Sequence, residues 1–238
     1  MNGKVKTGVP GLDEMLGGGI PEGSVVLVMG EPGSGKTVLC SQFLYYGISE
    51  LGERGVYVSL DHPKEVFMKK MSTFGWDFES FEKEGLFEFI DASPFSSGKV
   101  RLGTKSFSIE ALLKWVSSEI KRLNAKRIAI DSIASLLYQY PDIAKRRMAI
   151  LYLIESLVKS GVTSMMTSMF RTGWRDTTVL VEEHLAHGVI ILQLMRMGRE
   201  LKRVIQIEKM LGTLVDIQPR PYDITEKGIV VHVDETVL

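Results

Sequence analysis

The sequence predicts an α/β fold in which helices flank a mostly parallel central sheet, with antiparallel strands at a C-terminal edge. Three observations predict it: short β-branched apolar runs, helical stretches that alternate with them, and a final segment whose strand-like runs follow one another without a helix. The chain has 238 residues, of which 45% are hydrophobic and 24% charged, as is typical of globular proteins. No long linker, repeat or low-complexity tract divides residues 1–238, so we expect them to form one domain.

The individual elements follow from the spacing of apolar residues. Five apolar runs predict buried strands, at residues 25–29, 56–60, 128–130, 162–167 and 189–194. Helical spacing predicts helices at residues 38–49, 64–74, 109–123 and 143–159. Strand-like runs separated by turn residues predict antiparallel hairpins at residues 201–209, 222–225 and 229–233. The irregular stretches predict surface loops, at residues 91–108 and 170–178.

Charge and cysteine content exclude several classes of function. The chain has 29 lysines and arginines and 29 aspartates and glutamates, so its net charge is zero. This balance argues against wholesale electrostatic capture of nucleic acid or anionic membrane, though not against a local basic patch. The single cysteine, Cys40, excludes an internal disulfide framework and a multi-cysteine metal site. The first residues lack the apolar stretch of a signal peptide, and no apolar run is long enough to span a bilayer. We therefore expect a cytoplasmic protein that does not enter membranes.

Residues 30–37, which we call the phosphate loop, read Gly-Glu-Pro-Gly-Ser-Gly-Lys-Thr and match the G-x-x-x-x-G-K-[ST] motif at every specified position. The motif lies between a predicted strand and a predicted helix, where glycines let backbone N–H groups converge on a phosphate and the helix adds its positive end. We expect Lys36 to contact the β- and γ-phosphates and the Thr37 hydroxyl to hold Mg²⁺. The alternative is a glycine-rich surface turn. The expected nucleotide-binding residues are Gly30, Glu31, Pro32, Gly33, Ser34, Gly35, Lys36, Thr37 and Val38.

Two aspartates that follow predicted strands are candidates for metal and water chemistry. Magnesium beside a phosphate loop needs a second anchor, usually a carboxylate at the end of an apolar strand, and Asp131 fits that description. The alternative for Asp131 is an ordinary helix N-cap. Hydrolysis also needs a carboxylate that orients or activates water, and Asp61 lies at the carboxyl end of another strand. The alternative for Asp61 is a residue that forms the turn before Pro63.

The phosphate loop belongs to a longer pattern of residues. The pattern comprises Thr7-Gly8-Val9-Pro10-Gly11-Leu12-Asp13, Leu16-Gly17-Gly18-Gly19-Ile20-Pro21 with Gly23-Ser24, residues 126–132, Lys209, Gly212 and Thr213, and residues 222–228. Over nearly its whole length the chain resembles the KaiC-like branch of the RecA superfamily, in particular the single-domain archaeal members. The lead-in before the phosphate loop is far more specific than the loop alone. The resemblance implies a RecA-like P-loop NTPase fold.

The resemblance also implies a nucleotide and an assembly. It implies ATP, with ADP as its product, bound at the interfaces of a homo-oligomeric ring that commonly has six subunits. In the family a basic residue near the end of one strand reaches the neighbouring subunit's phosphates, so Lys209 is the catalytic candidate in trans. Two departures suggest slow turnover: Asp61 stands where relatives generally have glutamate, and Leu211 replaces an arginine of the K-x-R-G pattern.

Three functions remain open at this point. The first is a slow ATPase switch, in which ATP occupancy sets the conformation offered to an unidentified protein partner. The second is a DNA-handling motor. Residues 170–175 place cations beside aromatic residues, and residues 145–147 are a run of cations. Single-stranded DNA is held by pairing of its phosphates with cations and by stacking of its bases on aromatic rings. The alternatives are a solvated helix face for residues 145–147 and subunit packing for Trp174. The third is a nucleotide-gated scaffold with negligible hydrolysis.

Overall fold

The structure, a computed structural model, describes residues 3–96, 101, 107–169, 181–198 and 200–237. The strands in those residues are β1 (Lys4–Val5), β2 (Ile20–Pro21), β3 (Val25–Gly30), β4 (Gly55–Ser59), β5 (Phe87–Asp91), β6 (Arg127–Asp131), β7 (Thr163–Met169), β8 (Gly188–Met197), β9 (Glu200–Met210), β10 (Arg220–Thr225) and β11 (Gly228–Val231). The helices are α1 (Leu12–Met15), α2 (Lys36–Leu51), α3 (Lys64–Ser72), α4 (Phe78–Lys83), α5 (Ile109–Leu123), α6 (Ile133–Leu137), α7 (Ile143–Ser160) and α8 (Val181–Leu185).

One large sheet organises the part of the chain that the structure describes. Its nine strands run in the order β11-β10-β9-β8-β3-β7-β6-β4-β5. The six strands from β8 to β5 are parallel to one another, whereas β9, β10 and β11 continue the sheet in antiparallel pairs. The carboxyl ends of β3, β7, β6 and β4 therefore lie side by side at one edge, which is where parallel sheets bind ligands.

The two faces of this sheet are buried under separate layers of helices. Every residue of β3, β4 and β6 is buried, because these strands have helices on both sides. One apolar cluster joins a sheet face to α2, α3 and α4, and a second joins the other face to α5, α6 and α7. In α5 the buried residues recur every three or four positions, which gives that helix one apolar stripe.

A buried arginine links the start of β6 to two other segments. Arg127 has no exposed surface. Its Nε lies 2.5 Å from Oε2 of Glu53, and its Nη1 donates to the carbonyl oxygens of Lys6 at 2.6 Å and Phe43 at 2.9 Å. The guanidinium also lies 4.6 Å from the centre of the Phe43 ring. Arg127 thereby fixes the N-terminal lead-in and α2 against the strand that ends at Asp131.

The predicted fold class is confirmed, with some elements added. All five predicted parallel strands are present, and the antiparallel C-terminal edge is present as predicted. The predicted loop at residues 91–108 begins one residue too early, since Asp91 ends the unpredicted edge strand β5. The sequence reasoning also missed α4 and the small β1–β2 hairpin, which are too short to show clear periodicity. Among the described residues, no helix is long and apolar enough to cross a membrane.

Candidate functional site

The phosphate loop leaves the carboxyl end of β3 and leads directly into α2. Gly33 and Gly35 have φ angles of 82° and 94°, a backbone region that glycine adopts at little cost. A Cβ at Gly35 would lie 2.8 Å from Cδ1 of Ile224, so packing also favours glycine there. Tyr222, on the same strand as Ile224, donates its hydroxyl to the carbonyl oxygen of Ser34. The antiparallel edge of the sheet thus holds the loop from one side.

Lys36 is folded back onto its own loop. Its Nζ donates to the carbonyl oxygens of Gly30 at 2.8 Å and of Glu31 at 3.0 Å. Burial lowers the pKa of Lys36, and the negative charge of Asp131 partly opposes that shift. The Oγ of Ser34 is buried and has no hydrogen-bond partner among the described residues. The loop therefore holds a cation and an unused polar group at the place where the motif predicts a phosphate.

Asp131 is the last residue of β6, and its carboxylate is almost entirely buried. Three hydroxyl groups donate to it: Thr37 to Oδ2 at 2.6 Å, Tyr57 to Oδ2 at 2.7 Å, and Thr167 to Oδ1. Burial, followed by the charge of Asp131, raises the pKa of Tyr57 well above its ordinary value, so this phenol remains a donor. Ser132 caps α6 by accepting from the Ala134 N–H, so Asp131 does not serve as the N-cap.

Asp61 follows β4 at the same edge of the sheet. Its Oδ1 accepts a hydrogen bond from the Ser135 hydroxyl. Burial raises the pKa of Asp61, and the bond from Ser135 opposes that rise. The adjacent turn is closed by Ser59, whose hydroxyl donates to the carbonyl of His62 at 2.6 Å and accepts from the same residue's N–H at 3.2 Å. The Asp61 carboxylate is therefore directed across the edge toward α6, not into its own turn.

Lys209 lies elsewhere in the sheet. It pairs with Val189, which pairs with Leu27, so Lys209 is level with a residue three positions before Gly30 on β3. Its Nζ donates to the carbonyl oxygen of His184 at 3.3 Å. Within the described residues, the structure brings Lys36, Thr37, Asp131 and Asp61 together and leaves Lys209 apart from them.

Four partners of these residues escaped the sequence reasoning: Tyr57, Thr167, Ser135 and Tyr222. The position of Tyr57 could be inferred from strand pairing. Ser59 pairs with Asp131, and Tyr57, two residues before Ser59, lies on the same face of the sheet. Thr167 follows Met166, which pairs with Ile130, and so lies beside Asp131 in the neighbouring strand. Both inferences need the strand order β7-β6-β4, which the sequence alone does not supply.

The candidate DNA-contacting residues divide between described and undescribed parts of the chain. Residues 170–175, including Trp174, lie outside the described residues. Lys145 and Arg147 are exposed on α7, whereas Arg146 is half-buried and its Nε donates to the carbonyl of Tyr140 at 3.3 Å. Exposed lysine and arginine on one helix are equally typical of a solvated helix face.

The chemistry of this edge suits a magnesium-bound nucleotide. Mg²⁺ prefers hydroxyl, carboxylate and phosphate oxygens, and the Thr37 hydroxyl and Asp131 carboxylate meet directly beside the phosphate loop. A phosphate would receive backbone N–H groups, the amino end of α2 and the ammonium of Lys36. The sheet order, the strand-loop-helix unit and the aspartate on β6 together define the class: a P-loop nucleotide-binding protein with a RecA-like fold.

Comparison with known proteins gives the family. A family model described as "ATPase: KaiC" matches residues 5–236, so the chain belongs to the KaiC ATPase family. UPF0273 protein PF1931 of Pyrococcus furiosus is 40% identical over 240 residues, covering 98% of this chain and 96% of the relative. A UPF0273 protein of Thermotoga maritima is 37% identical over 239 residues, covering 98% and 97%. The crystal structure of KaiC-like protein PH0186 from Pyrococcus horikoshii matches with a TM-score of 0.85 and 37% identity, covering 98% of this chain and 100% of that one.

Proposed function

We propose that this chain binds Mg-ATP at the phosphate loop and hydrolyses it slowly at the interfaces of a homo-oligomeric ring, with six subunits as the expected number. In this proposal residues 30–38 hold the nucleotide, and Lys36 stabilises charge on the β- and γ-phosphates. Thr37 and Asp131 hold the magnesium ion, which neutralises phosphate charge when it is bound. The nucleotide state then sets the conformation offered to a protein partner.

The observation that carries the proposal is the hydrogen bond from the Thr37 hydroxyl to Asp131. These residues are 94 positions apart in sequence, yet their oxygens lie 2.6 Å apart. Thr37 lies in α2, which follows β3, and Asp131 ends β6. The strand β7 lies between β3 and β6 in the sheet. A hydroxyl of the phosphate-loop motif and a strand-end carboxylate therefore meet beside the predicted phosphate position, and their oxygens are the ligands that Mg²⁺ prefers.

Asp61 is proposed to position the attacking water. It follows the strand next to β6, and the charges of Asp61 and Asp131 both act on Lys36. The hydrogen bond from Ser135 would anchor one oxygen of this carboxylate and leave the other to accept a hydrogen bond from the water. An aspartate is one methylene shorter than the glutamate expected from the resemblance, which favours slow turnover.

Lys209 is proposed to act on the nucleotide of an adjacent subunit. Its position away from the phosphate loop of its own chain supports action in trans, which would make hydrolysis depend on assembly. The second cation of the family's pattern is absent, since Leu211 stands there with 57% of its surface exposed. We also propose that residues 1–238 form one domain, because one sheet joins β3 to β11.

The test is Mg-ATP turnover per subunit, measured over a wide range of protein concentration together with the oligomeric state. We expect the specific rate to rise as the protein assembles. ATP binding without turnover at any concentration would refute the ATPase proposal and leave a nucleotide-gated scaffold. Chelation of Mg²⁺ is also expected to weaken ATP binding without abolishing it, and unchanged binding would refute the metal role of Thr37 and Asp131.

The same measurement with single-stranded DNA added tests the DNA-handling alternative. We expect no stimulation, because Arg146 is half-buried and bonded to the carbonyl of Tyr140, and exposed Lys145 and Arg147 are typical of a solvated helix face. Strong stimulation by DNA that is lost in the Arg171→Ala/Arg175→Ala double variant would replace the switch with a motor.

A further inference from the structure

The carboxylate of Asp131 is held by two hydroxyls that do not belong to the phosphate loop. Tyr57 on β4 donates to Oδ2, and Thr167 on β7 donates to Oδ1. These strands flank β6 on either side, so the carboxylate is held from both directions and by both of its oxygens. Two donors at different oxygens fix the plane of a carboxylate, whereas a single donor lets it rotate.

The Tyr57 hydroxyl is placed by a rigid aromatic environment. The residue is 2% exposed, and its ring centre lies 4.2 Å from that of Phe67 and 5.5 Å from that of Phe89, the latter in a stacked arrangement. Its strand pairs with β5 on one side and β6 on the other. A phenylalanine at position 57 would satisfy all of this packing, so the one property that requires tyrosine is the hydroxyl on Asp131.

Thr167 is likewise enclosed within the sheet. It has no exposed surface and lies in β7, between the strand that leads to the phosphate loop and the strand that ends at Asp131. Threonine and valine have nearly the same shape, so at position 167 too the specific contribution is a hydroxyl. The second strand-borne donor thus approaches Asp131 from the side of the loop.

Thr37 differs from these two donors in its position and its role. It is the second residue of α2, the helix that begins directly after the glycines of the phosphate loop. Its oxygen is needed as a metal ligand in the proposed function, so a bound ion would compete with Asp131 for it. The donors on β4 and β7 do not have this second role.

We propose that Tyr57 and Thr167 are positioning residues that hold the Asp131 carboxylate in the orientation that receives Mg²⁺, whether or not nucleotide is bound. The inference rests on the proposed function, in which Asp131 anchors the metal. Partners of metal-binding carboxylates commonly contribute about 10- to 100-fold to metal affinity. Removing one of two fixed donors should therefore raise the Mg²⁺ concentration needed for ATP binding by about tenfold.

The experiment titrates Mg²⁺ into the full chain with a fluorescent ATP analogue and compares nucleotide affinity with and without the ion. Tyr57→Phe and Thr167→Val each keep the shape of the side chain and remove the hydroxyl. We expect both variants to need about tenfold more Mg²⁺ for half-maximal binding while their affinity in EDTA stays that of the wild type. Thr167→Ser restores a hydroxyl and should restore the wild-type Mg²⁺ requirement.

Tyr45→Phe is the matched control. Tyr45 belongs to the same layer of aromatic residues, with its ring centre 5.5 Å from that of Trp76, and so reports the effect of losing a phenol hydroxyl away from Asp131. We expect this control to match the wild type. An Mg²⁺ requirement unchanged in both Tyr57→Phe and Thr167→Val would overturn the inference. Equal loss of affinity with and without Mg²⁺ would also overturn it, because that pattern indicates general damage to the fold. A wild-type affinity independent of Mg²⁺ would refute the proposed function itself.

Discussion

Replacing Lys36 by alanine should weaken ATP binding by an amount that the geometry of the loop allows us to work out. The Nζ of Lys36 makes two hydrogen bonds, at 2.8 and 3.0 Å, to neutral carbonyl oxygens of Gly30 and Glu31. Binding exchanges these for bonds to charged phosphate oxygens. A hydrogen bond from this ammonium group to a neutral carbonyl contributes about 1.5 kcal/mol, and one to a charged phosphate oxygen contributes about 2.5 kcal/mol.

The net gain from two such exchanges is about 2 kcal/mol, which corresponds to about thirtyfold in affinity. Lys36→Ala should therefore raise the Kd for Mg-ATP by about thirtyfold without abolishing binding, because the backbone N–H groups and the amino end of α2 remain. The alanine variant loses two hydrogen bonds, but it also avoids the free-energy cost of desolvating an ammonium group. The free energy of unfolding of the protein without added nucleotide should therefore change little.

The assay is isothermal titration of Mg-ATP into wild type and variant, with chemical denaturation of the nucleotide-free proteins alongside. Lys69→Ala is the matched control, since this lysine is exposed on α3 and outside the loop. A Kd equal to that of the wild type would refute the assignment of the phosphate loop. Equal weakening in the control would show that the effect is one of net charge alone.

Three further predictions concern the rest of the site and the fold. Ser135→Ala removes a hydrogen bond that lowers the pKa of Asp61, so the pKa of this carboxyl should rise. Because the ionised form holds the water, the acid limb of the turnover–pH profile should move to higher pH. An unmoved limb would exclude Asp61 as the residue that positions the water. Lys209→Ala should lower turnover at least tenfold in the assembled protein while leaving ATP binding intact, because a cation donated in trans contributes a factor of about 10³ or more to the rate of hydrolysis. An undiminished rate would show that Lys209 is not part of the site. Arg127→Met leaves two buried carbonyls and Glu53 without their partner, so denaturation should give a loss of about 3–5 kcal/mol. Exposed Arg122→Met should cost about 1 kcal/mol or less, and equal losses would contradict this account.

The parts of the fold that the sequence predicted are those that depend on local spacing. Runs rich in apolar residues located β3, β4, β6, β7 and β8 to within a few residues, because strands buried on both faces carry few charged residues. The boundaries of α5 were predicted without error, since Ser108 caps its first turn and apolar residues recur at helical spacing. By contrast, the sequence did not predict β5. This edge strand is short, combines apolar and acidic residues, and follows a charged helix and a turn.

The site was predictable to the extent that a motif fixes it. Residues 30–37 carry their own geometry, and the aspartates were found because each follows a strand. The hydroxyl groups around them could not be found in this way, because a serine, threonine or tyrosine inside a strand has no local signature. Tyr57 is one of several aromatic residues in a buried layer, and only its pairing through β6 shows that its hydroxyl faces Asp131.

The placement of Lys209 links turnover to assembly more directly than the resemblance alone. A cation that is level with Leu27 in its own sheet lies about 10 Å along the strand direction from Gly30, since each residue advances about 3.3 Å. A lysine side chain directed toward His184 does not close that gap within one subunit. If Lys209 contributes to hydrolysis, the contribution must therefore come from a neighbouring copy, and dilution below the assembly threshold should have the same effect on turnover as Lys209→Ala. Dilution of the Lys209→Ala variant should then lower its turnover no further. If dilution lowers the turnover of the variant by the same factor as that of the wild type, the two changes are independent and this reasoning is wrong.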